Sequence, residues 1–228
     1  MNAETIEQVV SRYPATSPIF RGLIQLLPCG IGSAIDVAVV TKLENIHKDK
    51  LREFFDELGK GAVQLTPEII ESEDFLHRYF STVRAALNSL RREKIRYFAR
   101  LLTSSITTSE ISTIDEYEEY LGILDELSFR ELGIVVVLSR YEKENFLQDD
   151  TDPIQRPNRF WDQFFSEVCS RFSIPDGELN GILARLNRTG LYRTIVGMYP
   201  GYTGGRGELT PLYAKLEKMI RPEEGEFE

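Results

Sequence analysis

Most of the stretch 33–102 is written in helical period, and that limits the fold more than any other feature. Ile35, Val39, Leu43, Ile46, Leu51, Phe54, Phe55 and Leu58 recur at helical spacing, with Lys and Glu between them, up to an interruption at Gly59, Lys60 and Gly61. After Pro67 the pattern resumes through Phe75, Leu76, Tyr79, Phe80, Val83, Leu87, Leu90, Ile95, Phe98 and Leu102, then fades in the Thr/Ser-rich stretch 103–113. No strand signal precedes residue 130. Two long amphipathic helices, 33–58 and 67–102, are predicted to bury their apolar stripes on each other as an antiparallel hairpin.

A chain of 228 residues with 42% hydrophobic and 28% charged side chains has the composition of a soluble globular protein of one large or two small domains. The net charge of −9 is divided almost evenly about Asp125, so neither half is a basic domain. Phosphate neutralisation supplies most of the affinity for nucleic acid, so only a local cationic patch would overcome that background. Cys29 and Cys169 lie far apart and outside any CxxC or Cys/His spacing, which argues against a disulfide framework or a zinc site and for a reducing cytoplasm. The beginning of the chain, with Glu4 and Glu7, lacks the charged lead and apolar core of a secretory signal. Residues 19–40 are interrupted only by Arg21, Gln25 and Asp36 and approach the roughly 20 residues of a bilayer-spanning helix. Pro28, Gly30 and Gly32 split that run, so a buried helix pair joined by a turn is expected there, with membrane contact as the alternative.

Further along, 115–127 reads as an acidic helix with Tyr117, Tyr120, Leu121 and Leu124 on one face. Ser128 and Glu131 form a capping-box pattern that starts a helix at Phe129 and carries it to about Asn145, although the run from Ile134 to Leu138 also suits a strand. Asp149, Asp150, Asp152, Pro153 and Pro157 mark a loop over 146–157. An aromatic core helix follows, with Phe160, Trp161, Phe164, Phe165, Val168 and Phe172. The next helix opens after Pro175, Asp176 and Gly177, buries Leu179, Ile182, Leu183 and Leu186, and closes at Gly190. Strands are predicted at 191–198 and 208–210, with 199–207 as the hairpin tip. Thr210 before Pro211 caps a terminal helix that runs through Ile220.

Helix, helix, helix, hairpin, helix is the winged-helix order. Gly207, Glu208, Leu209, Thr210 and Pro211 followed by Leu212, Tyr213, Leu216 and Ile220 resemble the common winged-helix ending, and the resemblance covers 128–220. The expected fold is therefore mainly α: a long helical hairpin or bundle over 1–113, then a winged helix with a small β-hairpin over 114–228, with an acidic disordered tail from about 222. Lys94, Ile95, Arg96, Tyr97, Phe98, Ala99, Arg100, Leu101 and Leu102, with the pattern at 115–128, are also similar to the abortive-infection alpha type of bacterial proteins, which are linked to phage defence. That similarity implies no catalytic residues.

Between Glu178 and Glu208 there is no carboxylate side chain, yet the stretch carries Arg185, Arg188, Arg193 and Arg206. A surface helix plus a wing can enter a duplex groove. Arg185 and Arg188 would then meet phosphates or guanine edges, Asn187 a base edge, and Arg206 the minor groove. The alternative is a solvated helix face, with Arg193 paired to carboxylates elsewhere. Arg92, Arg96 and Arg100 form a second basic stripe at i, i+4, i+8, expected to pair with the acidic 115–126 helix or, alternatively, to contact phosphate. Tyr192, Tyr199 and Tyr202 suit either base stacking or hairpin packing.

Gly204, Gly205 and Gly207 match neither a phosphate loop nor a dinucleotide fingerprint and read as wing flexibility. His47 and His77 lack partners at metal-ligand spacing, and Asp149, Asp150 and Asp152 lack the glycine and glutamate of a calcium loop. No catalytic residues, metal site or cofactor are expected. The functional expectation is a non-enzymatic DNA-binding or regulatory module, with duplex DNA as partner and a homodimer formed through the long helices. The alternative is a protein-interaction or phage-defence component whose winged helix is structural, and whose 19–40 segment is masked by a protein partner or released to a membrane.

Overall fold

A computed structural model describes residues 37–61, 66–108, 111, 113–148, 150, 152–175, 177–197 and 204–227, with the side chains of 37–44 and of Pro67 set aside. The expectations for 19–36, Cys29, Asp149, Tyr199, Tyr202 and most of the hairpin tip fall outside those residues. The chain divides into two compact units, one ending at Tyr117 and the other beginning at Glu118.

In the first unit the described helices are α1 (Val37–Lys60), α2 (Pro67–Ile70), α3 (Glu73–Asn88) and α4 (Arg92–Thr107), and α5 (Ile114–Glu126) begins there. The second long helix expected over 67–102 is instead three helices. Ser72 stops the first piece and caps the next, its hydroxyl accepting from the Phe75 amide at 3.3 Å. Ser89 and Arg91 are extended, with ψ of 140° and 127°, which separates α3 from α4. Leu90, which the apolar period assigned to the core, is 91% exposed in that break.

The break lets α3 and α4 pack on each other while α1 packs on both, so among the described residues these three helices form a bundle. Phe54, Tyr79, Phe98, Leu101 and Leu102 are fully enclosed in its core. Arg78 is buried with them: it donates to the Ser105 carbonyl at 3.1 Å and lies over the Tyr117 ring, whose hydroxyl meets that of Thr82. Burial pushes the Tyr117 hydroxyl well above its ordinary pKa.

The second unit holds α6 (Phe129–Glu144), α7 (Gln155–Arg171), α8 (Glu178–Arg188), β1 (Tyr192–Thr194), β2 (Gly207–Leu209) and α9 (Pro211–Ile220), followed by a 3-10 turn, Glu224–Phe227. Ser128 and Glu131 make the capping box, with the Ser128 amide donating to the Glu131 carboxylate at 2.8 Å and the Glu131 amide to the Ser128 hydroxyl at 3.2 Å. The β-branched run that also suited a strand is helical. Every residue from Glu131 to Ser139 is buried, so α6 is the central helix and needs no polar face along that stretch. The two strands pair antiparallel, Tyr192 with Leu209 and Thr194 with Gly207.

Gly190, at φ 78°, ends α8 and turns the chain into β1. Thr210 closes the other end of the hairpin, its hydroxyl donating to the Gly190 carbonyl at 2.6 Å and accepting from the Tyr213 amide at 3.4 Å at the start of α9. The acidic tail expected to be disordered from about 222 instead folds back. Phe227 is buried and stacks on Phe129 at 4.6 Å, while Glu224 reaches Arg171 at 2.6 Å. Those cationic and aromatic contacts fix a segment whose composition alone reads as solvated.

Candidate functional site

Leu179, Ile182, Leu183 and Leu186 are buried, and this sets the orientation of α8. Asn180, Gly181, Ala184, Arg185, Asn187 and Arg188 are thereby left on the outside, as the helical period dictates. The four candidate arginines lie in one unit, but each has a partner there. Arg185 meets Glu131 at 3.2 Å, Arg188 meets Glu126 at 2.5 Å, and Arg193 meets Glu208 at 2.6 Å across the hairpin. Arg206 donates to the Asn158 side-chain carbonyl and lies 4.0 Å from Asp162.

The first three arginine side chains remain 57%, 70% and 64% exposed, so the pairs with Glu126 and Glu208 are of the surface kind, each worth about 0–1 kcal/mol, whereas Arg185 faces a carboxylate that is itself buried. The gap in acidic residues between Glu178 and Glu208 is thus filled in space by carboxylates of α5 and α6, and at its far edge by Glu208 itself. Sequence reading missed Glu126 and Glu131 as the residues that neutralise this face.

The second basic stripe is also partnered. Arg96 meets Glu53 at 2.9 Å and Arg100 meets Glu57 at 2.6 Å, so the carboxylates come from α1, a helix that the charge pattern had not offered. Arg92 is exposed. Tyr192 is 2% exposed and packs inside the hairpin instead of offering a stacking platform. Its ring occupies the space that a Cβ on Gly207 would need. Gly204 and Gly205 hold φ of 97° and 87°, so these glycines meet steric requirements of the wing that the reading of flexibility left out. Among the described residues, no group of three His, Cys, Asp or Glu side chains could hold a metal ion, and no helix is long and apolar enough to cross a membrane.

Between α7 and the wing lies a groove of about 570 Å³ that sequence reasoning did not single out. Trp161, Phe165 and Cys169 supply its wall on α7, Asn180 the start of α8, and Gly204 to Arg206 the wing side. Its charges are Asp162 on one wall and Arg206 on the other. The aromatic period of α7 was visible in the sequence, but that Phe165 and Cys169 stand half-exposed on it was not.

Behind the wing, Glu142 of α6 accepts from the Leu209 amide at 2.8 Å. Burial pushes its carboxyl up to about 7; the Leu209 amide and Arg156 pull it back, while Glu208 and Glu217 push it further up. Burial also opposes ionisation of Glu217, but Lys143 and Ser139 hold it below the usual carboxylate range. Comparison with family models, with curated proteins and with solved structures found no match for the chain.

Proposed function

We propose that the second unit is a winged-helix binding module that takes a protein segment in the groove between α7 and the wing. The observation that carries this reading is the neutralisation of the arginine face: Arg185, Arg188 and Arg193 each face a carboxylate of their own unit. A face without net positive charge attracts phosphate weakly. The groove instead combines aromatic wall, backbone and one opposed charge pair, the mixture by which concave sites hold and orient peptide side chains. An apolar side chain lies against Trp161 and Phe165, and polar groups of the partner meet Asn180, Asp162 and Arg206.

The test is panning of a random peptide library on the chain, with Phe165→Asp as counter-selection. Peptides that bind the wild type and lose binding to both Phe165→Asp and Arg206→Ala support the reading. A folded wild-type chain that enriches no such peptide rejects it.

A second reading, duplex-DNA contact, is favoured by the exposure of the Arg185, Arg188 and Arg193 heads on one unit. Phosphates would have to displace Glu126 and Glu208, held by surface ion pairs, and compete for Arg185 with Glu131, which is buried and also held by the Ser128 capping box. Anisotropy of labelled duplex at two salt concentrations separates the two. Salt-sensitive binding by the wild type that disappears in Arg185→Glu with Arg188→Glu would favour DNA.

A further inference from the structure

The 3-10 turn after α9 is bound to its own unit in the manner of a ligand. In a 3-10 helix, residues i and i+3 lie on the same side, so Glu224 and Phe227 project together. The Glu224 carboxylate meets Arg171 at 2.6 Å and Arg140 at 2.9 Å, and Arg171 also donates to the Glu224 carbonyl at 2.9 Å. Phe227 stacks on Phe129 at 4.6 Å beside Gly133, where a Cβ would stand 2.6 Å from the Phe172 ring and 3.0 Å from the Phe227 ring. The glycine is therefore what opens the notch that both rings share.

The receptor side is already built without the turn. Arg140 is held by Glu167 at 2.7 Å to each carboxylate oxygen, on two helices that pack directly on each other. The turn itself is slight: its Glu226 amide donates back to Glu223 within the segment, and the chain enters it through Arg221 at φ 44°, a left-handed conformation that an L side chain adopts only at a cost. Its charge complements the site, since Glu224 meets both Arg140 and Arg171.

We propose that the surface formed by Phe129, Gly133, Phe172, Arg140 and Arg171 is a docking site for acidic-x-x-aromatic peptide segments, filled here in cis by Glu224–Phe227 and open to a partner segment of the same chemistry when that turn lifts off. The site is separate from the groove beside the wing and does not rest on the function proposed for that groove.

The test uses the full chain and a fluorescent peptide of residues 221–228. The Glu224→Gln, Phe227→Ala double variant removes both anchors of the internal competitor and leaves the receptor intact. It is expected to bind the peptide saturably and ~10-fold or more tightly than the wild type, whose tethered turn competes at millimolar effective concentration. A Phe227→Ala peptide, or Gly133→Leu added to the double variant, is expected to abolish binding. A double variant that melts cooperatively but does not bind the peptide, or binds the Phe227→Ala peptide equally well, overturns the proposal. So does a double variant that fails to fold, because the turn would then be part of the core and not a removable ligand.

Discussion

The Glu142 carboxylate of α6 accepts a hydrogen bond of 2.8 Å from the Leu209 amide, on the edge of β2 that faces away from β1. The next amide, Thr210, donates to Leu191 on the β1 side, so successive amides of this strand point in opposite directions. Among the described residues the sheet has two strands. A side chain of the central helix thus satisfies a donor that a third strand would otherwise take, and it ties the wing to the core.

That carboxyl gives the second unit a pH-dependent stability. Its folded pKa is raised from 4.5 to about 7, so between those values the folded chain binds more protons than the unfolded one. The contribution is full below the unfolded value and is lost as pH rises through the folded one. Glu142→Gln keeps an oxygen for the Leu209 amide and removes the charge that burial, Glu208 and Glu217 oppose, against the pull of Arg156. Thermal melts are expected to show the variant more stable than wild type above neutrality, by no more than ~3 kcal/mol, and indistinguishable from it in acid below the unfolded pKa. An equal gain at both ends of the range would show that the charge of Glu142 is not the cause.

Gly207 sits in the strand opposite Thr194, where the Tyr192 ring and the Arg193 carbonyl occupy the place of a side chain. The ring is nearly fully buried and the carbonyl is backbone, so neither can swing aside cheaply. Gly207→Ala is expected to destabilise the second unit by about 2 kcal/mol or more, whereas Gly181→Ala, open to solvent on α8, is expected to stabilise by a few tenths to ~1 kcal/mol through helix propensity. Chemical denaturation of the two variants checks the contrast.

Among the described residues of the first unit Glu57 is the most enclosed carboxylate, 7% exposed, with Arg100 at 2.6 Å and Lys60 at 2.8 Å. Burial opposes its ionisation, but those two cations outweigh burial and hold its pKa below the ordinary value. Its stabilisation is therefore present above the unfolded carboxylate range and is lost as pH falls through the folded pKa. Glu57→Gln leaves Arg100 without its counter-charge and is expected to cost about 2 kcal/mol near neutrality. Glu53→Gln, at the more open pair with Arg96, is expected to cost ~1 kcal/mol or less. Urea melts that rank the two in the opposite order would contradict this account.

The parts of the fold written in local chemistry were legible in the sequence. Ser128 with Glu131, Thr210 before Pro211 and Gly190 each act within a few residues, and each ends or begins a helix where expected. The break between α3 and α4 was not legible, because Leu87 and Leu90 continue the apolar period through it; only the bundle around α1 decides that Leu90 faces out. The arginine face misled for a related reason. Arg185 and Glu131 are 54 residues apart and Arg188 and Glu126 are 62 apart, so no local count of charge reveals the pairing. The segment after 222 read as a solvated tail because its complements, Gly133, Arg140 and Arg171, lie on two distant helices.

The same pairs give a direct test of what silences the arginine face. Glu131→Gln preserves the capping box, since a glutamine at this position still accepts from the Ser128 amide, while it withdraws the charge beside Arg185. Glu126→Gln does the same for Arg188 at an exposed pair. The double variant is expected to lose about 2 kcal/mol or less in stability, because the Glu126 pair lies at the surface and the buried Glu131, as glutamine, keeps its capping contacts. With two arginines released, it is expected to acquire weak duplex-DNA binding that the wild type lacks. The logarithm of that affinity should fall with the logarithm of salt at a slope of about −2, one counterion for each phosphate met. If the wild type and the double variant bind DNA equally, the carboxylates do not control this face, and the neutralisation that favours a protein ligand over a nucleic acid is lost.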